Sequence, residues 1–174
     1  MRGSLAPAIR SAHDGAVMKK LHRPNVAAMI RSHDGLLLLG QRSDHQESWQ
    51  FPQGGVDAGE SDEEALHREV LEEVGLAAGA YSIVARRGPY LYDFPGGATR
   101  RGFHGQRQTY FLCQLIEEHL PVIDLAETCG EFVALRWVRL EEFPLDLVPP
   151  MKQAVYREVL RDFFPNSVES KAHN

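Results

Sequence analysis

The segment from Gly54 to Leu76 constrains this chain more than any other. Ser61 to Val74 carries the marks of one helix. Ser61 and Glu64 stand at the spacing of a capping box, in which each side chain satisfies a free backbone N–H of the other. Asp62 and Glu63 fall in the first turn, where the helix dipole favours acids. Gly75 stops the helix as a C-terminal glycine. Leu66, Val70 and Val74 recur every fourth residue and predict the buried stripe. Glu69, Glu72 and Glu73 are three and four positions apart, so a helix gathers them on one face beside that stripe.

Three like charges on one helix face repel each other. A hard divalent cation with oxygen ligands relieves that repulsion, and magnesium or manganese suits carboxylates. Taken alone, the acidic face fits a solvated surface as well. Arg68, four residues before Glu72, is placed to pair with it.

The surroundings add a longer pattern. From Gly54, five residues lead to Glu60, and seven more lead to Arg68-Glu69-Val70-Leu71-Glu72-Glu73-Val74-Gly75-Leu76. This is Gly-x5-Glu-x7-Arg-Glu-U-x-Glu-Glu-x-Gly-U, with U aliphatic, matched at all nine fixed or restricted positions over 23 residues. On these residues the chain resembles the Nudix hydrolases. The resemblance implies a single-domain α/β fold, an α/β/α sandwich with a mixed sheet. It implies magnesium or manganese held by the Gly54 carbonyl, Glu69, Glu72 and Glu73. Those three glutamates then serve catalysis, while Glu60, Arg68 and Gly75 brace the loop and helix.

The flanks narrow the resemblance. Arg23-Pro24-Asn25-Val26, Ser48-Trp49-Gln50-Phe51-Pro52-Gln53, Tyr92-Asp93-Phe94-Pro95, Gly105-Gln106-Arg107-Gln108, Glu131-Phe132 and Val155-Tyr156-Arg157-Glu158-Val159 look like the RNA pyrophosphohydrolase and diadenosine polyphosphate hydrolase branch. By position, Glu131 matches a loop glutamate that binds metal or helps activate water; otherwise it is an exposed loop acid. Arg23 and Arg42 match phosphate contacts, or are plain surface arginines. Arg107 and Gln108 stand where relatives face the active site, with arginine in place of lysine. Tyr92 and Phe94 offer faces on which a base can stack, or are core aromatics. The 94–105 loop is shorter than in those relatives, and Thr109-Tyr110 replaces a usual Lys-Trp pair. The implied activity is metal-dependent hydrolysis of a phosphoanhydride. The substrate is the triphosphate at an RNA 5′ end, a dinucleoside polyphosphate such as diadenosine tetraphosphate, or both. Alternatives are another nucleoside triphosphate or nucleotide-sugar hydrolase of the superfamily, or a non-catalytic nucleotide-binding module.

Around that centre, Asn25–Ile30 and Leu36–Leu39 read as strands joined at His33-Asp34-Gly35. Tyr81–Ala85, Gln108–Leu115 and Ala134–Val138 are further strands. Residues 89–105 read as a long loop. Pro149-Pro150 opens a second helix over about residues 151–164, with Tyr156, Leu160, Phe163 and Phe164 facing a sheet. The domain spans 21–165. Residues 1–20 form an N-terminal extension, disordered or partly vector-derived, and 166–174 a C-terminal tail.

Charge is segregated rather than extreme. The formal net charge is −5. Residues 57–73 hold eight acids against Arg68, whereas 86–107 hold five arginines against Asp93. That suits a cation at one focus and phosphate near the other. Two cysteines, Cys113 and Cys129, suffice for neither a disulfide framework nor a zinc site. Reduced thiols and the lack of any membrane-length apolar run lead us to expect a cytoplasmic protein with no membrane partner.

Overall fold

The computed structural model describes residues 20–45 and 47–165. The expectations for residues 1–19 and 166–174 lie outside the described residues. Seven strands form one mixed sheet: β1 (His22–Arg31), β2 (Leu37–Arg42), β3 (Trp49–Gln50), β4 (Gln53–Gly55), β5 (Tyr81–Asp93), β6 (Gly105–Leu115) and β7 (Phe132–Val138). The main order is β3-β2-β1-β6-β5, with β4 on β1 and β7 on β2. Only β1 and β6 run parallel, in register from His22 opposite Gly105 to Arg31 opposite Gln114. Helix α1 (Asp62–Val74) covers one face and α2 (Gln153–Phe163) the other.

Strand β1 explains the sandwich. Its run Val26-Ala27-Ala28-Met29-Ile30 is at most 1% exposed and apolar on both faces, as a strand buried on both sides requires. Val26, Ala28 and Ile30 join Leu66, Val70 and Val74 under α1. Ala27 and Met29 join Tyr156, Val159 and Leu160 under α2. The Tyr156 hydroxyl accepts the Phe51 N–H at 3.0 Å, tying α2 to the segment between β3 and β4.

Two expectations need correction. Residues 89–93 are strand, not loop, because β5 continues to Asp93 against β6. The Gly88-Pro89 step falls at a register shift between Arg87 and Tyr90, and β5 lies at the sheet edge, where a proline without an N–H is tolerated. The second helix begins at Gln153, after a 3-10 turn over Pro150–Lys152. Cys113 is buried and Cys129 exposed, both free thiols. Among the described residues, no helix is long and apolar enough to cross a membrane.

Candidate active site

Local chemistry fixes α1 at both ends. The Ser61 hydroxyl accepts the Glu64 N–H at 3.2 Å, and the Glu64 carboxylate accepts the Ser61 N–H at 2.8 Å. Gly75 closes the helix at φ 67°, donating its N–H to Leu71 O at 3.0 Å, a left-handed conformation that glycine adopts without a Cβ clash.

Burying the Leu66/Val70/Val74 stripe turns Glu69 and Glu73 toward β4. Glu73 is only 4% exposed and its Oε2 accepts the Gln53 N–H at 2.8 Å. The Glu69 carboxylate lies against Gly54: a Cβ at 54 would fall 1.7 Å from Glu69 Cδ. Glycine is therefore required there by close approach. Glu72 is half-exposed, 3.5 Å from Arg68 Nη1.

Arg68 braces the loop to the helix. Its Nε and Nη2 fork onto Glu60 at 2.8 and 2.9 Å, Nη2 also donates to Gly55 O at 2.8 Å, and Nη1 reaches Glu69 at 2.7 Å. The Arg68 guanidinium, with the Asp57 N–H, pulls Glu60 down to about 2. Glu69 goes the other way: burial raises its proton affinity despite Arg68. Burial likewise holds Glu73 well above the usual carboxylate range, and the charges of Glu131 and Glu69 add to that.

Glu131 arrives from the loop before β7. Cys129 N–H donates to Glu72 O at 2.8 Å and Ser43 N–H to Glu131 O at 2.9 Å, so α1 and the end of β2 pin this loop. Its carboxylate is 3.3 Å from Arg42 Nη1. Arg42 also forks onto Asp44 at 2.7 and 2.5 Å. The Arg23 guanidinium covers Gly55, where a Cβ would fall 1.9 Å from Nη2, and its charge reaches Glu69.

The other candidates differ in exposure. Gln108 is fully buried; its Nε2 donates to Asn25 Oδ1 at 2.6 Å and Gln53 Oε1 at 2.8 Å, and its Oε1 accepts from Tyr110 at 2.9 Å. That amide is a scaffold between strands rather than a group facing a ligand. Tyr92 and Phe94 are 7% and 6% exposed and belong to the core under α2. A base would have to displace core packing to stack on either, so the burial supports the core alternative. Arg107 is exposed on β6.

One cation was not anticipated. Lys152, at the end of the turn before α2, is 2% exposed and donates from Nζ to Gln50 Oε1 at 2.9 Å. Burial first, then the charge of Arg42, lowers it to about 7; Glu73 and Glu131 oppose that. Lone lysines near a helix start are mostly surface residues. The available signal was its position four residues before Tyr156, on the face expected to be buried.

These residues fit a hard cation by donor chemistry. Glu69 lies against Gly54, Glu73 accepts the adjacent Gln53 N–H, and the Glu131 charge is felt at Glu73, so oxygen donors face one region where two carboxylates resist ionisation. Among the described residues, however, no three acidic, histidine or cysteine side chains form a ready ligand shell, because Glu69 is turned onto Arg68 and Glu131 onto Arg42.

Comparison with known proteins agrees in family and fold. The NUDIX domain family model matches residues 21–163. An RNA pyrophosphohydrolase of Helicobacter pylori is 40% identical over 154 residues, 84% of this chain and 96% of that protein. One from Sphingopyxis alaskensis is 41% identical over 150 residues, covering 83% and 94%. Among solved structures, the E. coli dihydroneopterin triphosphate pyrophosphohydrolase superposes with TM-score 0.64 at 21% identity, covering 84% of this chain and 99% of that one. A C. elegans Ap4A hydrolase binary complex gives TM-score 0.63 at 23% identity, covering 81% and 94%.

Proposed function

This chain belongs to the NUDIX domain family, and on that premise we propose that it is a metal-dependent pyrophosphohydrolase acting on the 5′-triphosphate end of RNA. Dinucleoside polyphosphates such as diadenosine tetraphosphate form the second substrate class of the same site. The observation that carries this reading is the approach of two carboxylates to neighbouring backbone of β4, the partly buried Glu69 packed against Gly54 and the buried Glu73 accepting the Gln53 N–H, within the electrostatic reach of Arg42 and Lys152. The RNA preference is supported by the relatives of about 40% identity that bear the name RNA pyrophosphohydrolase over most of their length.

Glu69, Glu72, Glu73 and Glu131 are the residues to hold magnesium or manganese, with the Gly54 carbonyl. Such an ion supplies charge neutralisation at phosphate oxygens and a bound water of lowered pKa. The chain's own contribution is placement. The Gln53 N–H orients the Glu73 carboxylate, and Arg68 holds the 55–60 loop against α1. Arg42, Lys152 and Arg23 bring positive charge to a phosphate chain, and Glu131 and Asp44 set the direction of the Arg42 guanidinium. Gly75 and Glu60 fix the helix end and the loop. A cytoplasmic location suits an RNA-end substrate and free thiols.

Glu73→Gln tests the assignment. The amide keeps an oxygen to accept the Gln53 N–H but loses the charge, so the fold should persist while turnover falls by at least 10³-fold, as expected for a residue without which the ion is not held. The assay runs 5′-triphosphate RNA and diadenosine tetraphosphate side by side, with magnesium and with manganese. Wild-type rates in the variant would refute the role of Glu73.

A further inference from the structure

A groove of about 280 Å³ is lined by Arg42 and Lys152, the two cations whose charges reach Glu73 and Glu131. Arg42 carries the end next to Glu131, and Lys152 lies in its wall. Pro150 and Met151 supply apolar surface. Asp44 is the only acid among its described lining residues, and Arg42 already forks onto it. Arg100, delivered by the connection between β5 and β6, also lines it, and its charge is felt at Lys152.

That connection holds Arg100 firmly. Arg100 and Phe103 exchange both backbone hydrogen bonds, at 2.9 and 3.0 Å. The two residues between them, Arg101 (φ 52°) and Gly102 (φ 82°), are left-handed, as in the tight turns that fit hairpin twist. The guanidinium sits over the Phe94 ring, 5.0 Å from its centroid. Phe94 itself is buried and edge-on to Tyr92. Arg100 has no acidic partner among the described residues. The result is an arginine positioned by a rigid turn and an aromatic face, with its hydrogen-bonding edge uncommitted.

Three cations on one groove, of which only Arg42 is paired with acids among the described residues, bear on substrate choice. Anions near the carboxylates meet Arg42 and Lys152. A nucleoside lying on Pro150 and Met151 then brings whatever follows its sugar toward Arg100. In an RNA chain that next group is a phosphodiester. In a dinucleoside polyphosphate the nucleoside ends there with a free hydroxyl. Resting on the functional reading above, we propose that Arg100 is a specificity-determining residue that binds the first phosphodiester of an RNA substrate and so favours RNA over dinucleoside polyphosphates.

The test compares wild type, Arg100→Met and Arg100→Lys on a short 5′-triphosphate oligoribonucleotide and on diadenosine tetraphosphate. Methionine keeps an apolar cover on Phe94 and removes the charge. We expect the ratio of kcat/KM for the oligonucleotide to that for the dinucleoside to fall about tenfold in Arg100→Met, through KM, with part of the ratio recovered in Arg100→Lys. The salt dependence of the oligonucleotide KM should weaken by about 0.7 in log–log slope, the value for one lost phosphate contact on a single strand. Loss of packing alone would not move that slope. An unchanged ratio, or an equal fall on both substrates, overturns the inference while leaving the pyrophosphohydrolase reading in place. Failure of the wild type on both substrates overturns that reading and the inference with it.

Discussion

Lys152 shows how a single residue can set stability against function. Its ammonium is buried, and Gln50 is its one hydrogen-bond acceptor given by the structure. The Gln50 Nε2 is itself buried and unpaired among the described residues, so this corner is incompletely satisfied. Burial depresses the lysine to about 7 in the folded chain, whereas an unfolded lysine stays near its usual 10.4. A depressed pKa contributes fully above the unfolded value and is lost as pH falls through the folded one. Lys152→Met should therefore be more stable than wild type near pH 7, by on the order of 1–3 kcal/mol. The difference should shrink toward pH 10, as urea denaturation at pH 7, 8 and 9 would show. The same variant should lose phosphate affinity, seen as a raised KM. A wild type at least as stable as the variant throughout would mean that the site repays the burial of the charge. The sequence carried only the position of Lys152 four residues before Tyr156, because a lysine's type says nothing about the protein atoms that close over it. Tyr92, Phe94 and Gln108 carry a related lesson: residue types that suit a ligand site also suit a packed strand face, and the sequence alone does not show which of them will be buried.

At the scale of elements, legibility followed how local each signal is. The α1 capping box, its apolar stripe and Gly75 are decided within a turn or two, and each appears at the residues that announced it. Strand β5 was harder, since Arg86-Arg87-Gly88-Pro89 breaks the alternation that marks a strand and its pairing with β6 is supplied by distant sequence. The capping box also yields a prediction about how independent the ends of α1 are. Ser61→Ala removes the acceptor for the Glu64 N–H and should cost about 1 kcal/mol. Glu69 and Glu73 lie further along the helix, held by the packing of Leu66, Val70 and Val74 and by the Gln53 N–H. Turnover should then stay within about twofold, measured as kcat beside a urea midpoint. A collapse of kcat with little loss of stability would show that the first turn, and not the packed stripe, sets the position of the glutamates.

For the molecule as a whole, charge is separated across the candidate active site, with acids on α1 and Arg42, Arg100 and Lys152 along the groove. In the metal-free protein, Glu73 and Glu69 have proton affinities raised chiefly by burial. Groups raised in this way contribute stability below the ordinary glutamate range, and that contribution is lost as pH rises through their folded values. At the proposed metal site a divalent ion would replace the proton at the same oxygens, competing poorly at low pH and well at high pH. Added magnesium or manganese should thus raise Tm little at pH 5 and progressively more toward pH 8. At a free concentration of 100 times Kd the gain is about 2.7 kcal/mol, roughly 5–10 °C for a chain of this size. Glu73→Gln should flatten both the shift and its pH dependence, because the amide neither binds the proton nor holds the ion. An equal shift at both pH values, retained in Glu73→Gln, would place the ion elsewhere on the surface and away from the Glu69 and Glu73 carboxylates beside β4.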